Sequence, residues 1–189
     1  KAFTFSPISE NTYVLYNDKG KAIIIDPGCY FPAEQETLKN FLTDTGLTPV
    51  QLLNTHCHLD HVFGNKWVHE TYGLELYIHP NEAQMLELAP VSGERWGLPF
   101  QNYNGPIHFL NDGDKVLLGD TALDVILTPG HSPGSICFYL PGQGDLIGGD
   151  VLFRGSIGRT DLPGGDAETL LTSIREKLWV LPDETVVYS

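Results

Sequence analysis

Residues 55–62 read T-H-C-H-L-D-H-V and place three histidines and one aspartate within six positions. Because the whole chain of 189 residues has only 7 histidines, packing or chance hardly explains this concentration. A neutral imidazole offers one lone pair to a metal ion, and a carboxylate offers a harder oxygen donor. The cluster therefore predicts a metal site, with a solvated polar loop as the alternative; its candidate ligands are His56, His58, Asp60 and His61.

The residues on either side indicate that this cluster lies between a strand and a helix. Residues 50–54 form a short apolar run typical of a buried strand, and residues 65–72 are typical of a short helix. In α/β sheets, ligands bind beyond the carboxyl ends of the strands. The predicted metal site therefore lies where a sheet of this kind binds its ligands.

The spacing inside the cluster indicates two metal ions rather than one. An extended backbone places His56 and His58 on one side and Cys57 on the other. Asp60 and His61 follow a turn and need not bind the same ion. We therefore expect one ion at the first pair of ligands and a second ion at the second pair.

Four motifs, in order along the chain, resemble the metallo-β-lactamase superfamily, a group of mostly dinuclear metal hydrolases. H-C-H-L-D-H is similar to its metal-binding signature, and D-P-G at residues 26–28 is similar to its early motif. T-P-G-H-S-P-G-S at residues 128–135 and G-G-D at residues 148–150 resemble the two later motifs. The resemblance implies that His131 completes the first metal site and that Asp150 bridges both ions. It also implies that Asp26 supports the ligands without binding an ion itself.

The resemblance implies an α+β fold, an αββα sandwich of two mixed β-sheets with helices on the outer faces. Periodicity alone gives only a mixed α/β domain. The length suits a single domain over residues 1–189. The chain stops at Ser189, where the G-H-G-P motif of the family would begin, so we expect its C-terminal end to be missing. The absent motif would carry the remaining histidine ligand of the second ion.

The pattern also predicts individual elements. Amphipathic spacing predicts a helix over residues 33–45, and Pro80 at a first helical position predicts another over 80–88. Residues 89–106 lack clear periodicity and are expected to form a loop. Asp166 is expected to open a last helix that extends to about residue 181.

Charge and cysteine content narrow the classes of partner and compartment. The net charge of −13, without a cluster of Lys and Arg, disfavours a nucleic-acid partner. No run of about 18 apolar residues occurs, so we expect no membrane partner. Three widely spaced cysteines do not indicate a disulfide framework and suit a reducing cytoplasm. Cys57 and Cys137 are expected to pack in the core.

The loop at residues 154–166, R-G-S-I-G-R-T-D-L-P-G-G-D, narrows the subgroup. It resembles the G-R-[ST]-D loop of the glyoxalase II group and of the related persulfide dioxygenases. Its P-G-G-D ending is most similar to the small, single-domain bacterial glyoxalase II-like hydrolases. Arg159 is a candidate to hold a substrate carboxylate or to fix Asp150 by a bidentate contact. The alternative is that Arg159 only supports its own loop.

The resemblance implies a hydrolase that attacks a thioester, similar to S-2-hydroxyacylglutathione, with a metal-bound hydroxide. Two divalent ions are expected, zinc first, with iron or manganese as alternatives; zinc lowers the pKa of bound water to about 7. Asp60 and Asp150 are the candidate catalytic carboxylates and act first as ligands. A persulfide dioxygenase with one iron on His56, His131 and Asp150 is the main alternative, followed by a non-catalytic metal-binding domain. The expected partner is a small-molecule acyl thioester, and the oligomeric state stays open.

Overall fold

The computed structural model describes all 189 residues and divides the chain into two compact units. The first unit comprises Lys1–Ile78 and Ala83–His108, and the second comprises His79–Glu82 and Phe109–Ser189. A single domain over residues 1–189 therefore stays a prediction. None of the helices has the length and apolar character needed to cross a membrane.

The first unit is built on a six-stranded mixed sheet. Its strands are β1 (Ala2–Phe5), β2 (Glu10–Tyr16), β3 (Lys21–Ile25), β4 (Thr48–Leu53), β5 (Leu76–Ile78) and β6 (Ile107–Phe109), adjacent in that order. β1, β2 and β3 pair antiparallel, whereas β3, β4 and β5 pair parallel. Ile23, Ile24 and Leu52 are completely buried. Burial of consecutive apolar residues, whose side chains point to opposite faces, is expected of parallel strands that are covered on both faces.

Four helices belong to this unit: α1 (Pro32–Asp44), α2 (Leu59–Val62), α3 (Asn65–Tyr72) and α4 (Ala83–Trp96). α1 has Pro32 at its start, and the Glu34 carboxylate accepts hydrogen bonds from the N–H groups of Tyr30 at 2.8 Å and Phe31 at 2.9 Å. These bonds satisfy N–H groups at the helix start that have no partner within the helix. The helix predicted over residues 33–45 is confirmed within one residue at each end.

The loop predicted for residues 89–106 is wrong in its first half, because α4 continues through Pro90 to Trp96. A proline inside a helix leaves the carbonyl four residues earlier without its N–H donor. That carbonyl belongs to Leu86, and the side-chain amide of Asn102 donates to it at 2.7 Å. The helix therefore tolerates Pro90 through a residue that lies beyond its own end. The predicted helix start at Pro80 is a 3-10 turn, Pro80–Glu82, that precedes α4.

The second unit has a five-stranded mixed sheet and a short hairpin. Its strands are β7 (Lys115–Leu118), β8 (Thr121–Leu127), β9 (Ile136–Leu140), β10 (Asp145–Ile147), β11 (Leu152–Phe153), β12 (Ser156–Ile157) and β13 (Val186–Tyr188). The sheet order is β13-β10-β9-β8-β7, parallel only between β10 and β13. β11 and β12 form the separate hairpin. The motif that contains His131 connects β8 to β9, and Asp150 follows β10.

α5 (Ala167–Ser173) begins where the sequence predicts it. The Asp166 side chain accepts a hydrogen bond from the N–H of Thr169 at 2.7 Å, as a residue that caps a helix start does. The α-helix ends at Ser173, and a π-helical turn, Ile174–Leu178, follows it, so the predicted extension to residue 181 is too long. Leu170 and Ile174 pack with Cys137 of β9 in the buried core of this unit.

Candidate metal centre

The histidines of the H-x-H-x-D-H cluster lie together and buried in the first unit. His56 and His58 follow β4, the backbone of His58 is extended, and α2 begins immediately after it. The ring centroid of His56 lies 4.7 Å from that of His58 and 4.0 Å from that of His61. Cys57 points away into the hydrophobic core, which confirms its predicted packing role. The strand-to-helix corner thus places three imidazoles against one another.

Asp26, directly after β3, contacts several groups at this corner. Its backbone has φ of +49°, in the left-handed region that few non-glycine residues adopt. One carboxylate oxygen accepts hydrogen bonds from the N–H of Thr55 at 2.7 Å and the amide of Asn54 at 3.2 Å. The other oxygen lies 2.6 Å from the Thr55 hydroxyl and 3.0 Å from Nδ1 of His61. Both oxygens therefore accept hydrogen bonds from groups at the corner that carries the histidines, as expected of a residue that supports ligands.

These contacts set the tautomers of two histidines. The Asp26 carboxylate can only accept, so Nδ1 of His61 carries the hydrogen. The Thr55 hydroxyl donates to Asp26 and therefore accepts from Nδ1 of His56, 3.1 Å away. Both rings consequently keep Nε2 as the donor atom for a metal. Nε2 of His61 lies 3.7 Å from a carboxylate oxygen of Asp60, the other predicted ligand of the second ion.

Glu10 is a buried carboxyl group in this unit that the sequence motifs do not predict. The hydroxyl of Thr12 donates to it at 3.1 Å and accepts from the N–H of Gly28 at 2.9 Å. Burial raises the pKa of Glu10 well above its ordinary value, and the negative charges of Asp26 and Asp60 raise it further. The only signal in the sequence was a glutamate at the start of a strand, which by itself does not distinguish an exposed residue from a buried one.

In the second unit, His131 and Asp150 lie near each other. Nε2 of His131 is 3.5 Å from a carboxylate oxygen of Asp150. The backbone carbonyl of Arg159 lies 2.8 Å from Nδ1 of His131 and accepts a hydrogen bond from it, so the Nε2 lone pair is again available to a metal. The His131 side chain is buried, whereas that of Asp150 is 30% exposed. The structure therefore pairs these two candidate ligands and holds the histidine by main-chain contact.

Arg159 contributes to this pair through its backbone and not through its charge. Its guanidinium forms a bidentate contact with Asp161, at 2.7 and 2.8 Å, on the protein surface. This contact corrects the prediction that the side chain fixes Asp150 and agrees with the alternative that it supports its own loop. The Asp161 hydrogen bond raises the pKa of Arg159, and the same bond lowers the pKa of Asp161 to about 2.

Gly158 allows the Arg159 loop to approach the candidate ligands. A Cβ atom at this position would lie 1.8 Å from the backbone oxygen of Asp150 and 3.2 Å from Nδ1 of His131. No side chain fits at the first of these distances, so the position requires glycine. The sequence marked residue 158 only as part of the G-R-[ST]-D resemblance, whereas the structure gives the steric reason.

The donor atoms fit a transition-metal or zinc site. Imidazole nitrogens and carboxylate oxygens are ordinary ligands of zinc and of iron. In the first unit, donor atoms of Asp26, His56 and His61 lie within 4.8 Å of one another. The hydrogen bonds at the Nδ1 atoms match the outer contacts that metal-binding histidines make with carboxylates or backbone carbonyls.

The family model of the metallo-beta-lactamase superfamily matches residues 6–189. A protein described as a probable metallo-hydrolase, YqgX of Bacillus subtilis, is 41% identical over 97% of this chain and 85% of its own length. The protein named hydroxyacylglutathione hydrolase GloC of Haemophilus influenzae is 36% identical over 94% of this chain and 83% of its own length. Both similarities extend across the whole candidate site.

Solved structures agree with this relationship. The BLEG-1 B3 metallo-beta-lactamase superposes with a TM-score of 0.90 at 40% identity, covering 99% of this chain and 88% of that one. TTHA1623 in a di-iron-bound form has a TM-score of 0.90 at 38% identity, covering 100% and 90%. ETHE1 from Myxococcus xanthus has a TM-score of 0.78 at 26% identity, covering 100% and 73%.

The predicted α+β fold with two mixed sheets is therefore confirmed, and such a fold implies that divalent metal binds to the histidine-rich site. The chain belongs to the metallo-β-lactamase superfamily, whose members include metal-dependent hydrolases.

Proposed function

We propose that this protein is a thioester hydrolase of the glyoxalase II type, acting on a small S-2-hydroxyacylglutathione-like molecule with two divalent ions. The observation that carries the proposal is the set of buried histidines whose Nε2 atoms are kept as donors by Asp26, Thr55 and the Arg159 carbonyl. The 36% identity to a hydroxyacylglutathione hydrolase supports this substrate class. A net charge of −13 supports a small-molecule partner over a nucleic acid.

In this proposal, His56, His58 and His131 would hold one ion, Asp60 and His61 would hold the other, and Asp150 would be a ligand shared by both. Two divalent ions at such a site supply a nucleophilic water at neutral pH and neutralise negative charge that develops on the carbonyl oxygen. Zinc is the first candidate, and the di-iron form of a relative that is 38% identical makes iron the next.

The residues of the chain hold and orient the reactants. The histidine rings are buried, whereas Asp60 is 14% and Asp150 is 30% exposed, so these carboxylates lie nearest to solvent. A thioester suits such a site because its thiolate leaves without a strong general acid. We propose that Asp150 orients the attacking water by accepting a hydrogen bond from it.

The test combines metal analysis with a panel of three substrates. We expect two metal ions per chain and turnover of S-D-lactoylglutathione, measured by loss of thioester absorbance. Removal of metal with a chelator should abolish turnover, and zinc should restore it. Two bound ions without thioester turnover would overturn the substrate assignment. One iron per chain with oxygen consumption on a glutathione persulfide would instead favour the oxygenase alternative.

Hydrolysis of β-lactams is a second candidate, favoured by the 40% identity to a structure described as a B3 metallo-beta-lactamase. A chromogenic cephalosporin should therefore be the third substrate of the panel. If kcat/KM for this compound exceeds that for the thioester, β-lactam hydrolysis replaces the proposed function. Metal without turnover of any of the three would support a non-catalytic metal-binding domain.

A further inference from the structure

Glu82 is a buried carboxylate that no sequence motif predicts as part of the site. It ends the 3-10 turn Pro80–Glu82, and its exposed fraction is 0%. Burial of a carboxylate costs free energy unless hydrogen bonds compensate for the lost water. One of its oxygens accepts from the hydroxyl of Ser132 at 2.6 Å and from the N–H of Gly134 at 2.7 Å. Both donors belong to the loop that carries His131.

The same loop is tightly fixed on both sides of the histidine. The Ser132 hydroxyl also lies 2.8 Å from that of Ser135, and the N–H of Gly130 donates to the Ser132 carbonyl at 3.1 Å. A Cβ atom on Gly134 would lie 2.8 Å from Nδ1 of His79 and 3.0 Å from the backbone nitrogen of Glu82. The loop therefore lies directly on residues 79–82, and glycine permits that approach.

We propose that Glu82 is a positioning residue that fixes the backbone of His131 and thereby increases the affinity of the metal site to which this histidine contributes. The Arg159 carbonyl controls the rotation of the ring, and Glu82 controls the position of the segment from which the ring projects. The inference rests on the proposed role of His131 as a metal ligand. Glu82 acts through hydrogen bonds to Ser132 and Gly134.

The contribution of such supporting contacts to metal sites is large. Loss of a residue that holds a metal ligand in place lowers metal affinity by about 10- to 100-fold. A merely structural carboxylate would change the stability of the metal-free protein without changing the affinity of the folded protein for metal. The two roles therefore separate when affinity and stability are measured independently.

The experiment compares Glu82→Gln with Glu82→Met, two side chains of similar length. The amide oxygen of the glutamine substitution can still accept both hydrogen bonds, whereas methionine offers no comparable acceptor. We expect Glu82→Met to lower the zinc affinity about 10- to 100-fold, measured by competition with a chromogenic chelator, and Glu82→Gln to stay within about threefold. Asn81→Ala is the matched control, because this exposed neighbour contacts the same loop only at 3.4 Å, at the Pro133 carbonyl.

Ser132→Ala provides a second test of the inference, which can be used if Glu82→Met does not fold. It removes one donor to Glu82, and we expect zinc affinity to fall about 2- to 10-fold, the effect of one hydrogen bond. Circular dichroism and the Tm of the metal-free proteins report folding separately. Wild-type affinity in folded Glu82→Met and in Ser132→Ala would overturn the inference, as would equal losses in the methionine and glutamine substitutions.

Failure of the inference and failure of the proposed function are distinguishable, because zinc affinity is measured without substrate. A wild-type protein that binds zinc but cleaves no thioester contradicts only the proposed function. If His131→Ala leaves zinc affinity unchanged, His131 is not a ligand, and the inference about Glu82 fails with it.

Discussion

The two compact units hold their candidate ligands by different chemical means. In the first unit, a side chain does so: the Asp26 carboxylate fixes His61 directly and fixes His56 through Thr55. In the second unit, the corresponding contact to His131 comes from the main-chain carbonyl of Arg159. A side-chain support can be removed by substitution, whereas a carbonyl is present whatever residue occupies the position. In the first unit, metal affinity should therefore depend on the supporting side chain. In the second unit, it should depend on the residues that determine the shape of the backbone.

The largest effect is expected when the proposed ligands themselves are substituted, and it should be the same in both units. His56→Ala and His131→Ala should each lose metal and nearly all turnover, because alanine removes a proposed imidazole ligand and offers no donor in its place. Metal content after dialysis, together with thioester hydrolysis, measures the effect. Full metal content and wild-type turnover in either variant would remove that residue from the site.

Substitution of the supporting side chain in the first unit comes next. Asp26→Asn replaces a carboxylate oxygen with an NH2 group that faces hydrogen-bond donors, so at least one donor loses its acceptor. We expect metal affinity to fall about 10- to 100-fold and the free energy of unfolding to fall by about 1–3 kcal/mol. Chelator competition and urea unfolding measure the two quantities. Asp18→Asn, on an exposed turn, is the control and should behave as wild type; equal behaviour of both variants would remove the distinction between the units.

In the second unit, the position of the backbone, rather than a side chain, holds the candidate ligand. Gly158→Ala places a methyl group where the Asp150 carbonyl lies 1.8 Å away, so the loop must move. We expect the free energy of unfolding to fall by about 1–3 kcal/mol and metal affinity to fall with it. Gly142→Ala, in open space on the β9–β10 turn, provides the comparison in thermal unfolding and metal binding. An undisturbed Gly158→Ala variant would show that the Arg159 carbonyl is not needed at its present position.

The smallest effect is expected for Arg159→Ala, which removes the guanidinium and keeps the carbonyl. Because the side chain is exposed and pairs only with Asp161, we expect KM, kcat and metal affinity to stay within about twofold. Steady-state kinetics on a thioester with a charged thiol part gives the measurement. A rise in KM of tenfold or more at unchanged kcat would revive the interpretation in which Arg159 holds a substrate carboxylate.

The contrast between the units also explains what could be predicted from sequence. The fold and a role for Asp26 were predicted through the resemblance of H-x-H-x-D-H and D-P-G to motifs of the metallo-β-lactamase superfamily, because these motifs consist of particular residue types. The contact of Arg159 with His131 could not be predicted, because it is made by a backbone carbonyl, which every residue has. The extent of α4 was missed because Pro90 ordinarily ends a helix, and its compensation by Asn102 lies twelve residues further along the chain. Glu10 and Glu82 were missed because a buried carboxylate looks, in sequence, like an exposed one.

The reactivity of the three buried thiols can be used to measure local unfolding of the protein. Cys29 and Cys57 belong to the first unit and Cys137 to the second, and all three are at most 1% exposed. Burial also raises the pKa of the Cys137 thiol to about 12, which suppresses the reactive thiolate. An alkylating reagent can therefore modify each thiol only when its surroundings unfold locally. Mass spectrometry of time-dependent labelling, with and without zinc, would measure the opening rate of each unit separately in one sample.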